Sequence, residues 1–195
     1  MIPDGLITYS NTDLERKSLE VFRRRPDVPF EARVNLELLV ELEKDVRLTI
    51  VDGLIAKWGI EGAVGINFMS PTRFVLVDSL MLSRHWPEYA SVLAEEYSHI
   101  VLHPALIQQV HEVEDFVDLQ SDPQWGRFEA DAKHFALCLR MPFKLVQFEL
   151  AHAYAEIVKE HGFGSVERIE KLTRNALALR FRVSARDIQR RLLAM

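Results

Sequence analysis

This chain has one cysteine, no long apolar run and no excess of positive charge, and each absence removes a class of explanation. Cys138 lies in an apolar stretch and has no partner for an internal disulfide, so it reads as core packing in a protein of a reducing compartment. No apolar run approaches the roughly 18 to 20 residues needed to span a bilayer. The N-terminal MIPDGLITYSNTDLERK has no charged-then-apolar signal pattern, and a cytoplasmic location is expected. A net charge of -5 and a pI near 5.8 give no overall attraction for nucleic acid or an anionic membrane. Internal repeats and low-complexity tracts are also absent.

What is present suits one ordinary globular domain: 195 residues, 48% hydrophobic and 27% charged. Asp13 to Arg25 reads as a surface helix ending at Arg23-Arg24-Arg25-Pro26, where the arginines flank the helix end. Phe30 to Asp45, with Val34, Leu36, Leu38, Leu39 and Leu42, predicts a second helix. From Arg47 the period shortens, and Leu48, Ile50 and Val51 predict a strand ending at Asp52-Gly53. Ala63 to Phe68 and Arg73 to Val77, separated by Ser70-Pro71-Thr72, predict a hairpin. A helix follows from His85-Trp86-Pro87 to His103, stopped by Pro104. Gln108 to Gly126 is acidic and reads as a helix and loop over the site. Arg127 to Pro142 and Phe143 to Gly162 predict two further helices, and the tail from Ser165 predicts two more, with Ser184 as the N-cap of the last.

The fold class expected is α+β: a mainly helical domain with a small sheet of about three strands, antiparallel or mixed, before its central helix. The chain 1–195 is read as a single domain, with an N-terminal helical segment 1–28, a core 29–163 and a helical tail 164–195.

The stretch YASVLAEEYSHIVLH, Tyr89 to His103, stands out because it places acidic and imidazole groups inside an apolar helix. Residues four apart share a helix face, so Glu95 and His99 can address one point, with Glu96 beside them. The spacing is that of H-E-x-x-H with its first histidine replaced by glutamate. In the full motif the histidines bind zinc and the glutamate takes a proton from metal-bound water. Glu-Glu-x-x-His alone also describes a solvated glutamate pair beside a satisfied helix histidine.

Three segments together resemble the ImmA/IrrE family of bacterial metallopeptidases, compact gluzincin-like enzymes commonly encoded beside helix-turn-helix repressors. LAEEYSHIVLH stands where that family has LAHELGHLLLH. EADAKHFALCLRMP, from Glu129 to Pro142, stands where it has E-x-x-A-N-x-F-A-x-x-L-L-M-P. LALRFRVSARDIQRRL, from Leu177 to Leu192, is similar to L-A-x-x-F-x-V-S followed by a short helix ending in R-L. The resemblance covers about Pro29 to Leu192 and implies a zincin-like fold.

Position by position, the resemblance implies Glu96 as the catalytic glutamate and Glu95, His99 and Glu129 as metal ligands, Glu95 replacing the usual histidine. The implied cofactor is Zn²⁺, with Mn²⁺ favoured more than usual by the added carboxylate. The implied activity is a metal-dependent endopeptidase cleaving a protein, a helix-turn-helix repressor by analogy, with a strand within Arg73 to Val77 pairing with the substrate. The alternative is a catalytically inactive peptidase-fold module that binds a regulatory protein.

Other residues have alternative readings. His103 pairs with His99 in a second register or packs at the helix end, and Asp131 orients a ligand histidine or lies exposed. His134 is a surface or half-buried histidine, Ser98 is small enough for close packing, and Trp86 and Trp125 are packing aromatics. Val183-Ser184 with Arg186, Arg190 and Arg191 superficially suggests a DNA-recognition helix, which the acidic composition disfavours.

Overall fold

The computed structural model describes residues 8–67, 69–84 and 86–195. Among these the chain is α+β, with eleven helices and one three-stranded mixed sheet. Phe68 and His85, which close a predicted strand and open a predicted helix, lie outside the described residues.

The first helix, α1 (Asn11–Arg24), begins where Ser10 caps the amide of Asp13 and turns Leu14, Ser18, Val21 and Phe22 inward. The predicted second helix is much shorter than expected: α2 covers only Leu36–Glu41. Asn35 explains the late start, because its side-chain oxygen takes the Leu38 amide and holds the backbone extended at the cap. The apolar period before Asn35 is helical in spacing but not in conformation.

Strand β1 (Val46–Val51) follows, then α3 (Leu54–Trp58), a five-residue helix that the sequence reading missed. Gly53 (φ 87°) and Gly59 (φ 73°) bracket it in the left-handed region that favours glycine. Strands β2 (Gly62–Ile66) and β3 (Arg73–Asp78) form the expected antiparallel hairpin, paired from Gly62 with Val77 to Ile66 with Arg73. β1 joins β3 in parallel, Val46 opposite Arg73 through Val51 opposite Asp78, giving the order β1-β3-β2. β3 is therefore the central strand. Both of its edges are paired, so it cannot take up a substrate backbone, contrary to the expectation for Arg73 to Val77.

Asp78 closes the sheet. Its carboxylate is buried and accepts from the amides of Ile55 and Leu80, each at 2.8 Å, which anchors α3 and α4 (Leu80–Ser83) to the end of β3. Burial opposes its charge, but these backbone amides outweigh it and hold the carboxyl below its ordinary range.

The long helix α5 (Trp86–Leu102) packs on the sheet on one side and on α8 (Trp125–Arg140) on the other. A helix enclosed on both sides must be apolar nearly all round, and Tyr89, Ala90, Leu93, Ala94, Tyr97, Ile100 and Leu102 are all buried. Truncating such a residue as Leu93 to alanine typically costs about 2–5 kcal/mol. Ser98 is buried too and donates its hydroxyl to the Ala94 carbonyl at 2.5 Å. Pro104 ends α5 and opens α6 (Pro104–Ile107), a turn the sequence reading did not foresee. The acidic segment contains α7 (Val113–Gln120), which is a packed wall: Phe116 and Leu119 are in the core.

The remaining helices, α9 (Phe143–His161), α10 (Val166–Phe181) and α11 (Ala185–Leu193), match the predicted ones closely. Ser184 caps α11 through a reciprocal box with Asp187. These three helices share their own apolar cluster, including Val146, Leu177, Phe181 and Ile188, so α9 packs with the tail. Arg191 fastens this unit to the rest. Fully buried, it donates to the Met141 carbonyl at 2.8 Å and pairs with Glu15 on α1, which removes it from any DNA-facing surface. No described helix is long and apolar enough to cross a membrane.

Candidate functional site

The α5–α8 contact determines what the Glu-Glu-x-x-His spacing means. His99 stands on α5 with its ring buried against Trp125, nearly parallel at 4.9 Å between centroids, and with Phe116 edge-on at 6.4 Å. Trp125 is thus a wall of the site as well as core. From α8, Glu129 brings Oε2 to 3.3 Å from His99 Nε2. The other imidazole nitrogen, Nδ1, faces Nδ1 of buried His103 at 3.1 Å.

One tautomer assignment satisfies both contacts: His99 donates from Nε2 to Glu129, and His103 donates from Nδ1 to His99. Burial and the neighbouring His99 push the His103 pKa down to about 3, so it stays neutral. His103 therefore orients His99 from one turn away and is no alternative member of the cluster. Asp131 accepts from the Tyr9 amide at 3.2 Å and has no contact with His99, so it does not orient that histidine.

Glu95, one turn before His99, lines the same cleft as Glu129. Burial and the Glu129 charge raise the Glu95 pKa. Glu129 moves the opposite way: burial works against its charge, but hydrogen bonds from His99 and Lys133 outweigh it. Lys133, one turn further along α8, places Nζ 2.7 Å from Glu129 Oε1 and 3.8 Å from Glu95 Oε1. Burial disfavours its charge, yet the Glu129 hydrogen bond and the Glu95 charge raise its pKa.

Glu96 points beside this group and is only 7% exposed. Its Oε2 has no hydrogen-bond partner, and burial together with Glu95 and Glu129 raises its pKa well above the carboxylate range. Strand β2 leaves room for it only because position 62 is glycine. A Cβ there would lie 2.7 Å from Glu96 Cγ, 2.8 Å from its Oε1 and 2.9 Å from a Val92 methyl.

Glu95, Glu96, Glu129 and Lys133 open onto a cleft of about 720 Å³, bordered by Gly62 on β2 and Gln120 at the end of α7. Glu61 and Glu88 add carboxylates to its rim, against the single guanidinium of Arg84. β2 is an edge strand, and its outer side sends the Ile66 amide to the Val110 carbonyl at 2.8 Å. By the two-residue alternation of a strand, Gly62 turns the same side toward the cleft.

The four residues singled out from the sequence are therefore brought together, but they do not fit a metal ion as they stand. Both oxygens of Glu129 are engaged, one by His99 and one by Lys133, whose Nζ also lies 3.8 Å from Glu95 Oε1. Among the described residues no three His, Cys, Asp or Glu side chains converge on a point where an ion could sit. An ammonium group 5 Å from a divalent ion is repelled by about 7 kcal/mol at an effective dielectric constant of 20.

Lys133 is the residue of this cluster that the motifs did not single out. Two signals pointed to it: its i,i+4 spacing from Glu129, and its place where the quoted motif has asparagine. Comparison of the chain with protein-family models and with curated sequences finds no match, so the family resemblance rests on the motifs themselves.

Proposed function

We propose that this chain is a protein-binding module on a zincin-like scaffold, whose cleft between β2, α5 and α8 receives an extended segment of a partner protein. The observation that carries this reading is the unpartnered, buried Oε2 of Glu96 beside that cleft. A buried carboxyl oxygen without a partner forfeits about 1–3 kcal/mol, which a ligand that supplies a donor recovers. The rim is rich in carboxylates, so the donor is best a lysine or arginine side chain, whose charge would also stabilise ionised Glu96. The edge of β2 offers main-chain pairing to the same segment. By the resemblance, the partner class is a helix-turn-helix transcriptional repressor.

A second reading keeps the metal-dependent endopeptidase. In its favour, His99 and Glu129 are in direct contact, and Glu95 and Glu96 line the same cleft as Glu129. That reading needs Lys133 to leave both carboxylates.

Selection from a displayed peptide library separates the two. The binding module enriches peptides with a fixed lysine or arginine, binds them equally in EDTA, and loses about tenfold affinity, or 1.4 kcal/mol, in Glu96→Gln. Zinc-dependent cleavage of the selected peptides would establish the enzyme and overturn the module.

A further inference from the structure

We propose that Lys133 is the resident cation of this site: its ammonium group occupies the carboxylates that would otherwise hold a divalent ion, so Lys133 keeps a latent ion site closed. The inference shares its site with the reading above but not its ligand, since Lys133 can exclude an ion whether or not a peptide binds.

The geometry supports this residue by residue. Glu129 comes from α8 and Glu95 from α5, so their carboxyl groups approach only because the two helices pack together. Two carboxylates brought together need a proton or a cation between them. Here Lys133 supplies the cation: its Nζ lies 2.7 Å from the Glu129 carboxyl group and 3.8 Å from that of Glu95. Lys133 emerges one helical turn after Glu129, so its stem runs along α8 and its head reaches back to both acids.

Removing the charge while keeping the stem would free Glu129 Oε1 and leave the pair uncompensated. His99 already presents Nε2 to Glu129 Oε2 at 3.3 Å, with its ring fixed by Trp125 and His103. Its partner His103 is placed as the outer group that commonly orients a ligand histidine. Imidazole and two carboxylates are a sufficient donor set for zinc once they are free.

This predicts a gain of function. Zinc titration by calorimetry, with cobalt(II) absorption as a second probe, compares the wild-type chain with Lys133→Met, Lys133→Gln and Lys133→Arg. Lys133→Met and Lys133→Gln should bind about one equivalent at least tenfold more tightly than wild type, while Lys133→Arg, which keeps the charge, should resemble wild type. Adding Glu129→Ala to Lys133→Met should abolish the gain. Lys133→Gln keeps a polar head and serves if the methionine variant aggregates.

Two outcomes overturn the proposal. Wild type could bind about one equivalent as tightly as the neutral variants, showing that Lys133 excludes nothing. Or the folded neutral variants could bind no better than wild type, showing that Glu95 in place of histidine disables the site by itself. Peptide binding measured on the same samples reports separately on the cleft.

Discussion

Around Arg191 and Arg140, two guanidinium groups face two carboxylates, Glu15 and Asp187, whereas around Lys133 one ammonium faces Glu95 and Glu129 with Glu96 behind them. The first set ties α11 to α1 and leaves no net charge in the interior. Each set holds buried polar atoms without a hydrogen-bond partner, Glu15 Oε2 in the first and Glu96 Oε2 in the second, but only the second lines a cleft and carries an excess of acid. Burying charge is costly in either place. The balanced set is explained by the fold it joins. The unbalanced set opens onto a cleft, where a ligand can reach it.

The largest effect should come from unbalancing the first set. Glu15→Ala strands the buried Arg191 and should lower unfolding stability by about 3 kcal/mol in urea denaturation. Glu15→Leu with Arg191→Met removes both charges and should recover most of that loss. If the single and double variants were equally destabilised, packing and not charge balance would hold the tail.

Next in size is Gly62→Ala, which forces a methyl group against Glu96 and Val92 and should cost about 2 kcal/mol. Glu96→Ala should relieve part of the clash, giving a coupling of about 1 kcal/mol between the two sites in a double-mutant cycle. Strict additivity would mean that Glu96 is not held where described.

Asp78 sharpens the contrast with Glu96, because it too is a buried carboxylate, yet the amides of Ile55 and Leu80 satisfy it. Its folded pKa is depressed, so the unfolded chain binds its proton more readily. The stability it contributes is present above the ordinary aspartate range and is lost as pH falls through the folded value. Asp78→Asn should therefore cost about 1–2 kcal/mol at neutral pH and progressively less in acid, as measured by urea midpoints across pH. An effect independent of pH would assign its role to packing.

The smallest effect on stability belongs to Lys133→Met, under about 1 kcal/mol, because that side chain is 55% exposed. Its consequence is for what the site binds, which is the sense in which the two charge clusters differ.

Much of this was legible in the sequence because it is local. The helical period of α5, the caps at Ser10 and Ser184, and the hairpin turn at Ser70-Pro71-Thr72 are each written within a few residues. The approach of Glu95, His99 and Glu129 came from the resemblance, and the structure brings them together. What was not legible depends on pairing across the chain. β1 joins β3 in parallel, which makes β3 central and leaves β2 as the edge beside Glu96. Asn35 stops a helix whose apolar period continues on its N-terminal side. Only the packing of α8 on α5 places Lys133 between two acids.

The most direct test of the account is the zinc and manganese content of wild-type protein purified without chelator, measured by elemental analysis alongside Glu129→Ala. A site already filled by Lys133 predicts well below about 0.1 equivalent of either metal, with no difference between the two proteins. Near one equivalent in wild type, lost in Glu129→Ala, would contradict it and restore the metallopeptidase.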